Sequence, residues 1–204
     1  MLVAAFSFLA GAVVHYVENR PTSADSVDAG FYLDMVFHHQ QAVEMSLIEL
    51  GDGADPVVRA FAQEIVILQQ YEIGRMEERL QEWGLAHRVE EDTAMAWMDA
   101  PIRAREMPGL ATDEQMRALR DAKDAAADAL FLDLMAEHHR AGAHMAAFAA
   151  EHAGDGGVRE LAARMARNQS VEIAEFAQTA SRLGFDIVIE PFEPADGEHD
   201  DHGS

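Results

Sequence analysis

Residues 31–45 read FYLDMVFHHQQAVEM, and residues 131–145 read FLDLMAEHHRAGAHM. Both segments contain the pattern Met-x-x-His-His-x-x-small-x-x-Met, with corresponding residues separated by 100 positions. The apolar residues of each segment recur with the spacing of one face of an α-helix. The chain is therefore predicted to contain two copies of one helical unit. The matching positions are Met35, His38, His39, Ala42 and Met45 in the first copy, and Met135, His138, His139, Gly142 and Met145 in the second.

The similarity between the two halves extends well beyond these segments. Identical residues recur at the same offset in the pairs Arg59 and Arg159, Gln69 and Gln169, Glu72 and Glu172, Ile73 and Ile173, and Gly84 and Gly184. Each copy is therefore predicted to form a helical hairpin. A single hairpin would leave part of its apolar surface exposed to solvent. Two hairpins packed together predict an all-α, four-helix bundle whose helices alternate up and down.

Capping residues and glycines divide the chain into five segments. Helices are predicted over 26–50, 56–83, 125–153 and 158–183, each opened by a capping signal or closed by glycine. The first 17 residues are almost entirely apolar, which favours membrane anchoring or export and hence an extracytoplasmic location. The predicted segments are a signal peptide or membrane anchor (1–20), a first hairpin (21–84), a linker with short helical pieces (85–124), a second hairpin (125–184) and an acidic, disordered tail (185–204).

The charge balance indicates which partners the protein can bind. The 204 residues include 15 basic and 37 acidic side chains, a formal charge of -22. Nucleic acids and anionic membrane surfaces are disfavoured, because both require a basic protein surface. Cations are the natural partner of such a chain. The sequence has no cysteine, so the available nitrogen and sulfur ligands are ten histidines and eleven methionines.

Polar residues occupy positions on the predicted helix seams where apolar residues are expected. His38, Gln69 and Glu72 lie on the seams of the first copy, and their repeat partners lie on the seams of the second. Burial of these groups is costly unless each is paired. They could form a metal-free hydrogen-bond network, or they could bind a metal together with the flanking methionines. Imidazole suits several transition metals, and thioether sulfur shifts the preference towards Cu(I) and Ag(I).

The second histidine of each pair is expected to be less directly involved. His39 and His139 lie one position off the seam, which rotates them by about 100° around the helix. They face either the neighbouring helix or the surface of the bundle, and we expect partly exposed histidines slightly more than metal ligands.

The sequence does not favour an enzymatic function. The chain lacks a cysteine nucleophile and any serine in a nucleophile-elbow setting. A di-iron site requires two Glu-x-x-His motifs and two further glutamates. Glu72 and Glu172 are not followed by histidine at the third position, and the layer offers only these two glutamates.

Several motifs resemble the domain-of-unknown-function 305 family. They are MVFHHQQAVEM, LMAEHHRAGAHM, QQYEIGRM and QSVEIAEF, together with the linker segment MAWMDAPIRAREMPGLATDEQM, which is similar to that of actinobacterial two-copy members. The resemblance covers about residues 26–184. It implies a ferritin-like helical bundle that is exported or membrane-anchored, and it links some members to copper binding and copper or silver tolerance. Phe176 and Leu110 depart from the family pattern, because methionine is usual at both places.

The residues and the resemblance together lead to one leading hypothesis and one alternative. The leading hypothesis is an exported protein that binds copper, or another transition metal, for metal buffering or tolerance. The alternative is a metal-free structural or interaction module with a buried His-Gln-Glu network. The candidate metal ligands are His38, His39, His138, His139, Met35, Met135, Met45, Met145, Glu72 and Glu172.

Overall fold

A computed structural model of the chain describes residue 23 and residues 26–90 and 92–192. The described residues form five α-helices, two short 3₁₀ turns and one two-stranded antiparallel sheet. The helices are α1 (Val27–Asp52), α2 (Pro56–Glu82), α3 (Asp113–Asp121), α4 (Ala125–His152) and α5 (Gly156–Leu183); the strands are β1 (Thr93–Ala94) and β2 (Ile102–Arg103). The predicted all-α class is confirmed. The four long helices begin and end within about two residues of the predicted positions.

The accurate helix starts follow from local capping. Ser26 Oγ accepts a hydrogen bond from the Ala29 amide, and Asp55 does the same for Val57 and Val58 ahead of α2. A capping box opens α3 at Thr112. These side chains satisfy amides that lack a partner within the helix, so they define the first residues of α1, α2 and α3. Asp124, before α4, makes no such bond.

Two antiparallel hairpins make up most of the described structure. Helix α1 packs on α2, α4 packs on α5, and α1 also packs on α4. Asp28, at the start of α1, accepts hydrogen bonds from the Gly154 and Asp155 amides just after α4. Asp128, at the start of α4, likewise accepts hydrogen bonds from the Ala54 and Asp55 amides just after α1. Helices α1 and α4 are therefore antiparallel.

The predicted alternation of helix directions is wrong. The four long helices run up, down, down and up, because the connection from α2 to α4 crosses from one end of the hairpins to the other. Arg79, near the end of α2, contacts Asp155 at 2.9 Å, whereas the Asp124 amide, just before α4, donates to the Asp52 carbonyl at 2.9 Å. A helix of 26 residues is about 39 Å long, and residues 83–124 are numerous enough to span that length.

Asp34 of α1 fastens the first half of this connection. Its buried carboxylate accepts hydrogen bonds from Arg88 Nε at 2.6 Å, from the Met95 amide at 2.6 Å and from Trp97 Nε1 at 2.7 Å. The Trp97 ring lies directly against Gly30, where a Cβ atom would be 2.4 Å from the indole. The connection is thus held to α1 by the ion pair between Arg88 and Asp34, by the hydrogen bonds from Met95 and Trp97, and by the packing of Trp97 on Gly30.

The core consists of two apolar clusters at opposite ends of α1 and α4. The first cluster includes Phe31, Met35 and Met145, and the second includes Met45 and Met135. The histidines of both repeated segments fall between these methionines along the chain. The predicted polar layer therefore lies between two halves of the core.

The two ends of the chain were predicted to be an anchor and a disordered tail. The predicted anchor lies outside the described residues, as do residues 193–204 of the predicted tail. The first part of the predicted tail, residues 185–192, is described, and there Phe185, Ile187 and Ile189 pack against the second cluster. Among the described residues, no helix combines the length and the apolar character needed to cross a membrane.

Candidate metal centre

His38 and His138 meet at the contact between α1 and α4. Both side chains are fully buried, and their ring centroids are 3.7 Å apart with an angle of 37° between the ring planes. His138 Nε2 donates to the backbone carbonyl of His38 at 3.0 Å. His38 Nε2 donates to the carbonyl of Pro108, in the connection between hairpins, at 3.3 Å. The two imidazoles that were predicted to share one layer are therefore in direct contact.

The second histidine of each pair contacts a glutamate of the adjacent helix. His39 Nε2 lies 3.0 Å from Glu72 Oε2, and His139 Nε2 lies 2.9 Å from Glu172 Oε2. The first contact is a hydrogen bond, whereas the second has ion-pair distance without hydrogen-bond alignment. Both histidines are fully buried.

The prediction that His39 and His139 are partly exposed is wrong. Helix α1 contacts α4 on one side and α2 on another. A rotation of about 100° therefore carries a side chain from one neighbouring helix to the next instead of into solvent. Helix α4 has the same relation to α1 and α5, so His139 is buried for the same reason.

Each of the four histidines has at least one ring nitrogen without a hydrogen-bond partner among the described residues, and for His139 this holds for both ring nitrogens. The four Nε2 atoms face a backbone carbonyl or a carboxylate, which favours the tautomer protonated at Nε2. The four Nδ1 atoms are buried and have no hydrogen-bond partner among the described residues. Each imidazole thus has a buried Nδ1 atom free of protein hydrogen bonds among the described residues and an Nε2 atom that faces an oxygen, an arrangement that metal-binding histidines commonly adopt.

Burial keeps the central pair uncharged. It lowers the pKa of His38 to about 3, and the nearby imidazoles of His39 and His139 lower it as well, against the opposing effect of the Pro108 carbonyl. Burial also lowers the pKa of His138 well below the usual value, and His38 contributes in the same direction. Both rings are therefore neutral at pH 7 and able to donate a lone pair.

The two seam glutamines complete the polar layer. Gln69 and Gln169 are buried, as the seam positions predict, and the Oε1 atom of each has no hydrogen-bond partner among the described residues. Gln169 fits because residue 142 is glycine, where a Cβ atom would be 2.4 Å from Gln169 Oε1. The layer therefore contains unpaired oxygen acceptors as well as unpaired nitrogen atoms.

The methionines are unevenly divided between the two sides of the layer. The predicted ligands Met35 and Met145 belong to the first core cluster, together with Met76 and Met165. Met45 and Met135 belong to the second, where Phe176 occupies the position that corresponds to Met76. Buried sulfur is consequently concentrated in the first cluster.

The arrangement of the charged and imidazole groups limits which metal sites are available. Within the part of the chain that the structure describes, no group of three or more histidine, aspartate or glutamate side chains is arranged to hold a metal ion. A metal centre in this layer would therefore need methionine sulfur, or a change in side-chain conformation, in addition to imidazole nitrogen.

Comparisons with known proteins agree with this architecture. No curated protein matches the sequence. The fold is similar to that of a DUF305 protein from Streptomyces coelicolor that is thought to be secreted, with a TM-score of 0.74, 40% identity, and 79% of this chain and 96% of the other covered. A DUF305 fragment from Deinococcus radiodurans has a TM-score of 0.67 and 24% identity, over 79% of this chain and 99% of the fragment.

A third similar structure contains a metal. CopM in its Cu(I)-bound form has a TM-score of 0.58 and 26% identity, over 76% of this chain and 96% of CopM. The model of the family described as "domain of unknown function (DUF305)" matches residues 28–180. On that match, and with the helical fold that these relatives share, the chain belongs to the DUF305 family.

Proposed function

We propose that this protein binds a soft metal ion, most suitably Cu(I), at the layer formed by its four buried histidines. The observation that carries the proposal is the set of four buried Nδ1 atoms that have no hydrogen-bond partner among residues 26–90 and 92–192, each on an imidazole whose Nε2 faces a carbonyl or carboxylate. Buried nitrogen atoms without partners are costly in a stable protein. Metal coordination would satisfy them.

The surrounding donors favour a soft metal. Thioether sulfur combined with imidazole suits Cu(I), whereas carboxylate-rich sites suit harder ions. Met35, Met145, Met76 and Met165 provide buried sulfur on one side of the layer. The Cu(I)-bound form of CopM, a protein of the same overall fold, supports copper as the first metal to test.

In this proposal the chain's own residues have three tasks. His38 and His138 donate Nδ1 lone pairs, while the Pro108 and His38 carbonyls keep their Nε2 atoms protonated. Glu72 orients His39 through a hydrogen bond. The methionines exclude water and supply sulfur ligands. A bound ion would lie in the apolar interior of the protein.

The alternative function is that of a metal-free structural or interaction module. The His39–Glu72 hydrogen bond favours it, because such a buried pair can specify helix register. A closed network would, however, leave few buried groups unpaired, whereas this layer has four Nδ1 atoms, the Nε2 atom of His139 and two Oε1 atoms without hydrogen-bond partners among the described residues. The unpaired atoms favour the metal-binding proposal.

Two further features belong to the proposal. The four long helices would form one ferritin-like bundle of two repeated hairpins, with a single long crossover; the matching contacts of Asp28 and Asp128 at an offset of 100 support this arrangement. The protein would act outside the cytoplasmic membrane. Its similarity to the Streptomyces coelicolor protein supports that location, and residues 1–20 would provide the export signal or anchor.

The test is an anaerobic Cu(I) titration in competition with a chromogenic chelator. The double variant His38→Ala/His138→Ala should lose at least tenfold in affinity, because two donors are removed. The control, His87→Ala/His152→Ala, removes two exposed histidines and should bind like the wild type. Equal Cu(I) binding by wild type and the His38/His138 variant would remove the layer from the proposal.

A further inference from the structure

A short strap of the connection between hairpins, residues 107–111, lies directly over the histidine layer. The carbonyl of Pro108 accepts the hydrogen bond from His38 Nε2 at 3.3 Å. Gln41, one helical turn further along α1, fastens the same strap twice. Its Nε2 donates to the Ala111 carbonyl at 2.9 Å, and its Oε1 accepts from the Ala111 amide at 2.6 Å.

The strap fits tightly against α4 on its other side. Gly109 has a φ of +81°, a conformation that favours glycine. A Cβ atom at this residue would be 2.5 Å from the Ala141 Cβ and 3.0 Å from the Glu137 carbonyl oxygen. Ala141 is the repeat partner of Gln41. The long side chain of Gln41 therefore holds the strap, whereas the small side chain of Ala141, at the equivalent position in the second copy, leaves space for it.

The outer side of the strap faces a surface cleft. The cleft has a volume of about 790 Å³ and is lined in part by Pro108, Gly109, Ala141, His144 and Glu190. Pro108 therefore contributes both to the wall of the cleft and to the hydrogen bond of a fully buried imidazole. The thickness of one backbone segment separates the cleft from His38.

These contacts differ from those of the other three buried histidines. His138 donates to a carbonyl within α1, and His39 and His139 face glutamates of α2 and α5. Those partners belong to the long helices, whose backbone hydrogen bonds resist local opening. The partner of His38 belongs to a strap outside the helices, which two hydrogen bonds of Gln41 and the buried side chain of Met107 hold in place.

We propose that the 107–111 strap is the lid of the histidine layer, and that Gln41 is the latch that sets how often it opens. A cation from the cleft reaches His38 when the strap lifts and the Ala111 bonds break. The lid is a structural feature that can be tested without metal, while its role in cation entry rests on the function proposed above. The lining of the cleft includes Glu137 and Glu190 beside Arg140, and the whole chain carries a formal charge of -22, which favours the approach of cations.

The first test uses the metal-free protein and does not depend on copper. Diethyl pyrocarbonate modifies accessible imidazoles, and mass spectrometry of peptides gives the rate at each histidine. Gln41→Ala should raise the modification rate of His38 at least tenfold, because it removes both hydrogen bonds to Ala111. The matched control is Gln40→Ala, which removes the same side chain from an exposed neighbouring position.

The other buried histidines report whether the effect is local. His39 and His139 should keep their wild-type rates in Gln41→Ala, because their partners lie outside the strap. An equal increase at all four buried histidines would mean general destabilisation and would overturn the lid, as would a His38 rate equal to that of Gln40→Ala. Gly109→Ala provides a second variant, which should raise the His38 rate by displacing the strap from Ala141.

The second test measures the rate of Cu(I) uptake by stopped flow. Gln41→Ala should take up Cu(I) about tenfold faster than wild type, with the same final stoichiometry. An unchanged uptake rate in a variant with accelerated His38 modification would overturn entry through the strap. If no variant and no wild type takes up Cu(I), the proposed function fails, while the metal-free modification data still decide whether the lid exists.

Discussion

At the scale of single residues, the most informative feature is the protonation state of the buried imidazoles. His38 and His138 are neutral because burial lowers both pKa values, and their Nε2 protons point at backbone carbonyls. The Nδ1 atoms of both rings lie inside the protein, with no hydrogen-bond partner in the part of the chain that the structure describes. The same burial that prepares these nitrogens for a metal makes the metal-free protein sensitive to acid.

The metal-free protein should lose stability as the pH falls below about 6.5. The folded pKa of His38 is lower than the unfolded one, so the unfolded chain binds more protons in this range. Each such histidine costs about 1.4 kcal/mol per pH unit between the two pKa values. Urea unfolding of metal-free protein from pH 7 to pH 4 measures this loss. In His38→Gln/His138→Gln the slope should be smaller, and an unchanged slope would contradict the burial of neutral imidazoles.

Glu49 predicts a pH dependence in the alkaline range. Its carboxyl group is fully buried near Asp128, with Gly53 close against it. Burial, followed by the effect of Asp128, raises the pKa of Glu49 to about 9. The folded state therefore holds a proton that the unfolded chain releases above about pH 4.5, so this contribution to stability decreases as the pH rises towards 9.

The variant Glu49→Gln tests this prediction. The amide resembles the protonated carboxyl in shape and carries no charge, so the variant should unfold at higher urea concentration than wild type at pH 9. The two proteins should differ less at pH 5. Glu64→Gln, at an exposed position of α2, is the control and should behave like wild type at both pH values. If the wild type unfolded at a higher urea concentration than Glu49→Gln at pH 9, Glu49 would be ionised in the folded state and the prediction would be wrong.

At the scale of secondary-structure elements, the connection between α2 and α4 determines how the two hairpins are joined. It is fastened at Asp34, crosses the layer at Pro108 and reaches the far end at Asp124. Much of its first half depends on one buried carboxylate with three donors. Loss of the Asp34 carboxylate should therefore destabilise the whole first half of the connection.

The variant Asp34→Ala should destabilise the protein by about 3 kcal/mol. It leaves the Met95 amide and the Trp97 indole N–H buried without their acceptor, and it removes the partner of Arg88. Chemical unfolding followed by tryptophan fluorescence measures the change. Asp133→Ala, on a half-buried position of α4, is the control and should change stability by less than about 1 kcal/mol. Equal effects of the two substitutions would contradict the anchoring role.

At the scale of the whole molecule, the elements that could be predicted are those with local signals. Helix starts follow from Ser26, Asp55 and Thr112, whose side chains bind amides within the next turn. The direction of α4 relative to α1 has no local signal, because a connection of this length can end at either end of the hairpin. It depends on contacts between distant residues, such as Asp28 with the Asp155 amide.

The candidate site shows the same division between local and distant information. The repeated motif identified His38 and His138 as buried, because they lie on an apolar seam. It did not identify the burial of His39 and His139, which requires knowing that α1 and α4 each have helices on two sides. It also did not identify Pro108 and Gln41, because a carbonyl and a glutamine 70 residues from its partner carry no distinctive pattern.

The central claim is that the Nδ1 atoms of the buried histidines are the metal-binding atoms. Nitrogen NMR of protein labelled with ¹⁵N at histidine distinguishes Nδ1 from Nε2, and Cu(I) is diamagnetic. In the metal-free protein we expect His38 and His138 to be neutral and protonated at Nε2. Addition of Cu(I) should shift the Nδ1 resonances of both residues and leave both Nε2 atoms protonated. Unchanged Nδ1 resonances in the presence of Cu(I), or a loss of the Nε2 protons instead, would contradict the claim.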